Sequence, residues 1–160
     1  MEIRFAAAGD IPGIQRLLGQ VGEIHHQLRP DIFRAAAMKY NEEELQTLLS
    51  EENRPIFVAA EGETVAGSCF CTLREYRGSS VSTDRRELYI DDLCVDEGHR
   101  RRGVATALIR RAREYAREQG CRCITLCVWS CNEGAMRFYE AMGMHPRNIT
   151  MEMPLEESEC

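Results

Sequence analysis

The chain has 160 residues, of which 44% are hydrophobic and 29% are charged, which is the composition of one soluble globular domain. No segment approaches the ~20 consecutive apolar residues of a membrane span, and the first ten residues lack the order of a signal peptide. We therefore expect an intracellular, cytoplasmic protein that has no membrane partner. The net charge of −6 argues against a nucleic-acid partner, which normally meets a basic face, and favours a small molecule.

The eight cysteines are expected to be reduced thiols, because disulfides persist mainly in oxidising compartments. Between Cys69 and Cys71, and from Cys121 to Cys131, the spacings are two or four residues, unlike the C-x2-C pairs of zinc sites. Residues two apart on a strand share a face, where Cys packs as a small hydrophobe. The pattern favours core packing and no metal. Thiol-based metal or redox sensing is the alternative.

In the first half of the chain, apolar spacing predicts a strand, two helices and a hairpin. Asp10 is expected to cap the first helix, and the turn Glu61-Gly62-Glu63 is expected to join the hairpin, because Gly takes the positive φ that such a turn requires. The predicted elements are a strand at residues 3–7, a first helix through Ile24, a second helix from Asn41 or Glu42 to Leu49, strands at residues 55–60 and 64–76, and an exposed loop at residues 77–86.

The second half is predicted to alternate strands with helices. The predicted elements are a strand at residues 88–95, a helix from about Gly103 to Gln119 that Gly120 ends, a strand at 122–129, a helix at 132–141, and strands at 144–146 and 149–153. This order indicates a mixed α/β domain over residues 1–155, followed by an acidic tail at 156–160. A strand-helix-strand unit is normally a right-handed crossover, so the helix at Gly103 should begin at the carboxyl end of the preceding strand, where ligands bind.

The turn before that helix is a candidate anion site, because helix N-termini leave N–H groups unpaired and carry positive dipole character. Gly98 and Gly103 have the spacing of a Walker A loop. Val104 and Ala105 stand where that loop needs Lys followed by Ser or Thr, so a P-loop nucleoside triphosphatase is excluded. The dinucleotide fingerprint G-x-G-x-x-G is also absent.

The segment Arg100-Arg101-Arg102-Gly103-Val104-Ala105 fits Arg/Gln-x-x-Gly-x-Gly/Ala, the pyrophosphate motif of acetyl-CoA-dependent N-acetyltransferases. A strand ending in Leu93-Cys94-Val95 precedes it. Residues 132–143, NEGAMRFYEAMG, follow it and match Asn-x-x-Ala-x-x-Phe-Tyr-x-x-x-Gly. The chain resembles the GCN5-related N-acetyltransferase (GNAT) superfamily, clearly over residues 88–153 and compatibly before them. The resemblance implies a mixed, mostly antiparallel sheet of six to seven strands, splayed between strands four and five and flanked by about four helices.

The resemblance also implies an activity. The expected reaction is transfer of the acetyl group from acetyl-CoA to the primary amine of a small molecule, by direct attack in a ternary complex. A protein lysine is a second acceptor. Cys127 stands where relatives that acetylate protein N-termini often have Glu, which weakens that alternative. A non-catalytic acyl-CoA sensor is an alternative of another class, and homodimers are common in such families.

Gly103 lets the backbone approach a pyrophosphate, amides from Arg101 to Thr106 can donate to it, and Ala105 keeps the helix start uncrowded. The alternative for the three arginines is a solvated basic turn. By resemblance, backbone groups of Leu93, Cys94 and Val95 bind the pantetheine arm, and Asn132 bonds the cofactor. The alternative role of Asn132 is a plain helix N-cap, and the two roles are compatible. The predicted cofactor-binding residues are Leu93, Cys94, Val95, Arg100, Arg101, Arg102, Gly103, Val104, Ala105, Thr106, Asn132 and Tyr139.

Acetylation needs a base, because an alkylammonium with a pKa near ~10.4 is protonated at neutral pH. Comparison with the polyamine-acetylating branch, whose strand reads Ile-Glu-Asp-x-x-Val, assigns this role to Asp91. Strand alternation predicts that Asp91 and Asp92 point to opposite faces and that Glu87 shares the face of Asp91. Asp92, Glu87 and a water chain are alternatives for the base. The alternative without a catalytic role is that Asp91 and Asp92 form a surface carboxylate pair.

Tyr139 is the second predicted catalytic residue. The matching tyrosine of the family is commonly assigned as the general acid, and a phenol can protonate a departing thiolate. The alternative is an aromatic core residue beside Phe138. A covalent cysteine mechanism is disfavoured, because no His is placed by sequence to activate Cys94, Cys127 or Cys131.

The residues that select the acceptor are expected between the first two helices and in the loop at residues 77–86. His25 and His26 are interpreted as helix-end polar residues, with a place in the wall of a substrate pocket as the alternative.

Overall fold

The computed structural model describes residues 1–155, so the predicted acidic tail lies outside the described residues. The chain divides into two compact units, Met1–Cys127 and a second that begins at Val128. The first contains the whole sheet and three α-helices, and residues 128–155 of the second contain one α-helix. The single domain over residues 1–155 stays a prediction.

The strands form one sheet in the order β1-β2-β3-β4-β5. Neighbouring strands are antiparallel from β1 to β4, whereas β4 and β5 are parallel. The mixed, mostly antiparallel sheet is thus confirmed, and among residues 1–155 it has five strands instead of six to seven. The elements are β1 (Glu2–Phe5), α1 (Ile11–Leu28), α2 (Glu42–Leu49), β2 (Ile56–Glu61), β3 (Thr64–Tyr76), β4 (Arg85–Val95), α3 (Val104–Glu118), β5 (Cys123–Leu126) and α4 (Glu133–Ala141).

The strands predicted at residues 144–146 and 149–153 are wrong, since residues 142–155 contain no strand. Met151 and Met153 are 86% and 82% exposed, so their alternation does not mark a buried face. Pro146 also lacks the N–H that a ladder needs. An apolar alternation predicts a strand only where a neighbouring layer covers one face.

The helices of the first unit cover opposite faces of the sheet. α1 and α2 bury Ile14, Leu17 and Leu45 in one cluster with Phe70 of β3. On the other face, Tyr115 of α3 meets Phe57 of β2 edge to face, with ring centroids 5.6 Å apart.

The start of α3 packs directly on β3. A Cβ at Gly67 would lie 2.8 Å from Val104 Cγ1, closer than two carbon atoms can approach. The side chain missing from Gly67 therefore allows the close contact that holds the N-terminus of α3 against the sheet.

The β4 strand has two irregularities that open it. Phe70 pairs with Asp92 and Cys71 with Ile90, which leaves Asp91 as the extra residue of a β-bulge. The parallel ladder to β5 runs only from Glu87 to Ile90. Beyond Ile90, β4 is paired with β3 alone, which is the predicted splay between the fourth and fifth strands.

The helix termini follow local chemistry. Asn41 Oδ1 accepts from Glu44 N at 2.9 Å and Glu44 Oε2 accepts from Asn41 N at 2.7 Å, which starts α2 as predicted. Asp10 stands at the N-cap position of α1 but makes no side-chain cap. It accepts from Arg4 Nη1 at 2.7 Å and from Ala7 N, because a charged partner from β1 competes with the helix amides.

The cysteines divide by their position in the sheet. Cys69 and Cys71 are buried, as core packing predicts, and their sulfur atoms lie 3.7 Å apart as free thiols. Cys94 is buried as well. The prediction is wrong for Cys123, Cys127 and Cys131, which are exposed. Cys123 lies on the short edge strand, where a side chain lacks a second neighbouring strand. Among residues 1–155 no helix is long and apolar enough to cross a membrane.

Candidate active site

The turn between β4 and α3 has the backbone of an anion site. Arg101 and Gly103 have φ of +62° and +81°, and α3 begins directly after them. The first hydrogen bond of the helix runs from Ala107 N to Gly103 O at 3.0 Å. The amides of Val104, Ala105 and Thr106 precede this bond and have no acceptor within the helix. They form a cluster of donors at the positive end of the helix dipole.

Asp96 anchors this turn to α1. Its carboxylate accepts from His99 Nδ1 at 2.8 Å, from Gln20 Nε2 at 3.1 Å and from the Arg16 guanidinium. These bonds, the one from His99 foremost, hold the pKa of Asp96 well below its usual range. A permanently charged acceptor therefore fixes the turn before any ligand arrives.

The three arginines of the turn have different surroundings. Arg102 Nη2 donates to Glu61 Oε1 at 3.2 Å, and Arg100 lies 3.8 Å from Glu97. Within residues 1–155, Arg101 forms no ion pair. Sequence position does not distinguish the three arginines. In the structure, Arg100 and Arg102 face carboxylates, and the charge of Arg101 remains available to an anion.

The end of β4 offers an open strand edge beside this turn. Leu93, Cys94 and Val95 pair with β3 on one side, and none of the described strands pairs with their other side. An extended ligand can add to such an edge through backbone hydrogen bonds. The Cys94 side chain is buried, and burial raises the pKa of its thiol to about 12, so a Cys94 thiolate is not accessible.

The β-bulge changes the arrangement of the acidic pair. Asp91 Oδ2 accepts from Thr72 Oγ1 at 2.6 Å, whereas Asp92 lies opposite Phe70. Phe70 and Thr72 are two residues apart on β3 and share the face that α1 and α2 cover. Both aspartates therefore lie on one face, and the predicted opposite orientation is wrong, because the extra residue of the bulge interrupts the alternation.

Asp92 is engaged by the segment between α1 and α2. Lys39 Nζ forms an ion pair with Asp92, whose side chain is 8% exposed, and Tyr40 stacks on Phe70 with centroids 5.9 Å apart. Burial raises the pKa of Asp92, although the hydrogen bond and the charge of Lys39 act to lower it. Burial acts most strongly on the pKa of Lys39 and lowers it, but the bond to Asp92 and the charges around Lys39 together outweigh burial, and the pKa rises. Each charge therefore opposes the pKa shift that burial imposes on the other.

Lys39 was missed as a site residue, because it belongs to no motif and only the tertiary fold brings it to Asp92. Burial lowers the pKa of His25, and the charge of Asp92 opposes this shift. His25 and Asp92 therefore interact through their charges, which is consistent with the alternative that His25 lines a substrate pocket. His26 instead contacts the carbonyl of Phe33 through Nδ1 at 2.7 Å, as a helix-end residue does.

Further along the same face, Arg74 lies against Tyr89, its guanidinium carbon 3.4 Å from the ring centroid. Burial raises the pKa of Tyr89 to about 12, and its hydrogen bond with the Cys127 side chain adds to the shift. Glu87 is 3% exposed and accepts from Arg85 Nε at 2.7 Å. Asp91 differs from both other carboxylates, because within residues 1–155 it forms no ion pair.

The remaining predicted residues belong to the second unit. Asn132 Oδ1 accepts from Ala135 N at 3.1 Å, so Asn132 is the N-cap of α4, and this bond uses its oxygen and not its Nδ2 group. Tyr139 lies on α4 with its ring centroid 5.3 Å from that of Phe138. The cofactor role of Asn132 and the acid role of Tyr139 stay predictions.

Comparison with known proteins gives a consistent result. The chain is similar to a mutant form of the BH1408 protein from Bacillus halodurans, with a TM-score of 0.93 and 30% identity over 98% of this chain and all of that one. It is 28% identical to the thialysine N-epsilon-acetyltransferase of Bos taurus over 144 residues, which are 88% of this chain and 82% of the relative.

The match to a third relative covers a shorter part of both chains. An uncharacterized N-acetyltransferase of Methanocaldococcus jannaschii is 39% identical over 67 residues, which are 41% of this chain and only 30% of the relative. The model of the acetyltransferase (GNAT) family matches residues 22–144. These residues include the sheet from β2 to β5, the turn before α3 and α4, and the chain therefore belongs to the GNAT family and is an acetyltransferase.

Proposed function

We propose that this acetyltransferase transfers the acetyl group of acetyl-CoA to a primary amine of a small molecule, by direct attack in a ternary complex. The observation that carries the proposal is the β-bulge at Asp91. It puts two carboxylates on one face directly before the open edge at Leu93–Val95. This acidic face, defined by Asp91 and Asp92, attracts a cationic amine. The adjoining edge suits an extended cofactor arm. The cytoplasmic location and the homodimer stay predictions.

The residues present fit acetyl-CoA. The amides of Val104, Ala105 and Thr106 lack acceptors within their helix, which suits a pyrophosphate, and Arg101 adds an unpaired charge. The backbone of Leu93–Val95 would hold the pantetheine arm, and the amide of Leu93 or Cys94 would polarise the carbonyl. Acetyl-CoA supplies an activated thioester carbonyl to the acceptor.

The side chains of this protein would manage the protons. Asp91 is half-buried, receives a hydrogen bond from Thr72 and forms no ion pair within residues 1–155, so it can take the proton that the acceptor ammonium must lose. As the N–C bond forms and the C–S bond breaks, Tyr139 would give a proton to the departing sulfur. Asp92 is held by Lys39 and Glu87 by Arg85, which makes them weaker candidates.

A panel of acceptors tests the proposal. Purified protein is incubated with acetyl-CoA and with diamines, amino acids or lysine peptides, and CoA release and product mass are measured. We expect release with a small amine well above the rate without acceptor. Release with peptides alone would support the protein-lysine alternative, and CoA binding without release for any acceptor would support the sensor.

Gly103→Ala should weaken CoA binding about tenfold, which corresponds to one lost charge-assisted hydrogen bond. An alanine at the φ of +81° is strained by about 1–2 kcal/mol, and relaxation of that strain turns the amides that follow. Calorimetric titration with CoA measures the effect.

Gly120→Ala is the matched control. Gly120 follows the other end of α3 at a φ of +67°, and an added Cβ meets nothing within 4 Å at either glycine. Both variants should lose similar thermal stability, but only Gly103→Ala should lose CoA affinity. Equal CoA affinity in the two variants would exclude the turn as the pyrophosphate site.

A further inference from the structure

Lys39 is the only lysine of the chain, and the fold places its ammonium on the acidic face. Its Nζ forms an ion pair with Asp92, whose side chain is 8% exposed. A primary ammonium is also the group that the proposed acceptor would bring to this face. Asp92 is therefore a carboxylate that holds a primary ammonium, and that ammonium belongs to the protein itself.

The position of Lys39 is fixed by the aromatic residue that follows it. Tyr40 stacks on Phe70 with ring centroids 5.9 Å apart, and its hydroxyl accepts from Arg54 Nη2 at 3.4 Å. Phe70 is the register partner of Asp92 between β3 and β4. The Lys39 ammonium also lies 5.4 Å from the centroid of the Tyr40 ring. The ion pair is thus held in place by the packing of the segment before α2.

The charges on this face leave one carboxylate for an acceptor. Although burial acts to lower the pKa of Lys39, the bond to Asp92 and the nearby charges raise it, so the ammonium is charged at neutral pH and balances Asp92. Glu87 is balanced in the same way by Arg85, at 2.7 Å. Asp91 forms no ion pair within residues 1–155. One ammonium at Asp91 therefore balances the charge that remains.

A second ammonium on the acceptor would be repelled. The two nitrogens of 1,4-diaminobutane are joined by five single bonds of about 1.5 Å, so its charges stay less than about 8 Å apart. Salt screens charges at such distances only in part. A diamine held at Asp91 would therefore keep its second charge within range of Lys39. Arg74, whose guanidinium carbon lies 3.4 Å from the ring centroid of Tyr89, adds a further positive charge along the same face.

We propose that Lys39 determines acceptor specificity: its ammonium occupies the subsite at Asp92 that a second ammonium would need, and so restricts the acceptor to amines with one positive charge. This inference rests on the proposed function and narrows its acceptor class. Lys39 acts through charge and does not contact the reacting atoms.

Butylamine and 1,4-diaminobutane are matched acceptors, because they share the reactive amine and the carbon chain and differ in the second ammonium. The native enzyme should favour butylamine, with kcat/KM counted per amino group. Lys39→Met should raise the ratio of kcat/KM for the diamine to that for butylamine by about tenfold, because the second ammonium can then pair with Asp92. Lys39→Arg keeps the charge and should keep the native ratio.

Two further variants separate the charge of Lys39 from its packing. Lys39→Met combined with Asp92→Asn removes both charges of the pair, so the ratio should return to within about twofold of the native value, whereas a defect in packing would persist. Arg113→Met removes an exposed cation of α3 and should leave the ratio unchanged, which controls for the net charge of the protein.

Thermal unfolding tests the subsite without the reaction. Lys39→Met leaves the carboxylate of Asp92 without its partner and should lower Tm. The diamine should restore Tm more than butylamine does at the same concentration, because a ligand that binds the native state stabilises it. The double variant should not distinguish the two amines.

A native preference for the diamine, or a ratio that Lys39→Met leaves unchanged, would overturn the role of Lys39 and leave the proposed function standing. Failure of every amine as an acceptor would instead count against the proposed function. The Tm of Lys39→Met would still test the subsite in that case, and equal stabilisation by the two amines would overturn it.

Discussion

Asp91→Asn should lower kcat/KM for the amine acceptor by about 10²- to 10³-fold at pH 7, the contribution typical of a positioned general base. Asparagine has nearly the same shape, and its amide oxygen can still accept from Thr72 Oγ1, the donor that lies 2.6 Å from the carboxylate. The fold should therefore survive, while the proton acceptor is lost. Steady-state kinetics with saturating acetyl-CoA, together with a thermal unfolding curve, measure the two effects separately.

The pH dependence distinguishes loss of a base from a general defect. An alkylammonium with a pKa near ~10.4 deprotonates increasingly as the pH rises toward that value, so the enzyme needs less help from a base. The ratio of native to Asp91→Asn activity should accordingly fall between pH 7 and pH 10. A ratio that stays constant over this range would mean that Asp91 acts on binding or structure.

The two neighbouring carboxylates supply matched comparisons. Asp92→Asn removes the partner of Lys39, and Glu87→Gln removes that of Arg85, so each should change stability or acceptor KM more than turnover. We expect less than a tenfold effect on kcat from either, well below the range of a general base. A larger loss from Asp92→Asn than from Asp91→Asn would transfer the role of base to Asp92.

Tyr139→Phe should lower turnover by about 10²-fold and leave CoA affinity nearly unchanged, because the hydroxyl would serve only the departing sulfur. The phenyl ring that remains preserves the contact with Phe138, whose centroid is 5.3 Å away. Turnover and CoA titration on the same preparation measure the two properties. The prediction concerns kcat, which separates an acid from a binding residue.

Tyr115→Phe is a suitable control, because it removes one hydroxyl from another tyrosine whose ring packs on Phe57. Its turnover should remain within about twofold of the native value, as is usual for a change away from the reacting groups. A native rate in Tyr139→Phe would remove Tyr139 from the mechanism and favour its alternative role as an aromatic packing residue beside Phe138.

Local chemistry made much of the fold predictable. The hairpin strand at residues 64–76 was predicted with the bounds that the structure has, and Gly62 takes the positive φ of 60° that its turn requires. The helix predicted from about Gly103 to Gln119 is α3, with Gly103 and Gln119 as its caps. These features depend on residues close together in sequence, where turn, capping and periodicity rules apply.

Other features of the fold depend on contacts between residues far apart in the chain, which the spacing of residues in the sequence does not reveal. The alternation at Met151 and Met153 resembles a strand, yet these side chains are exposed, because alternation does not tell whether a covering layer exists. The prediction for Asp91 and Asp92 failed for a similar reason. A bulge is decided by how two strands pair, and β4 shows no local signal for an extra residue.

The sequence by itself determined the family and the turn that is the candidate anion site, since a helix start with glycine and unpaired amides is a local property of residues 100–106. Only the tertiary structure decided which charges act on the acidic face. It paired Asp92 with Lys39 and Glu87 with Arg85, and it kept Asp91 and Arg74 out of ion pairs within residues 1–155. Ion pairing depends on distances between side chains far apart in the chain, and those distances exist only after the strands and helices have packed.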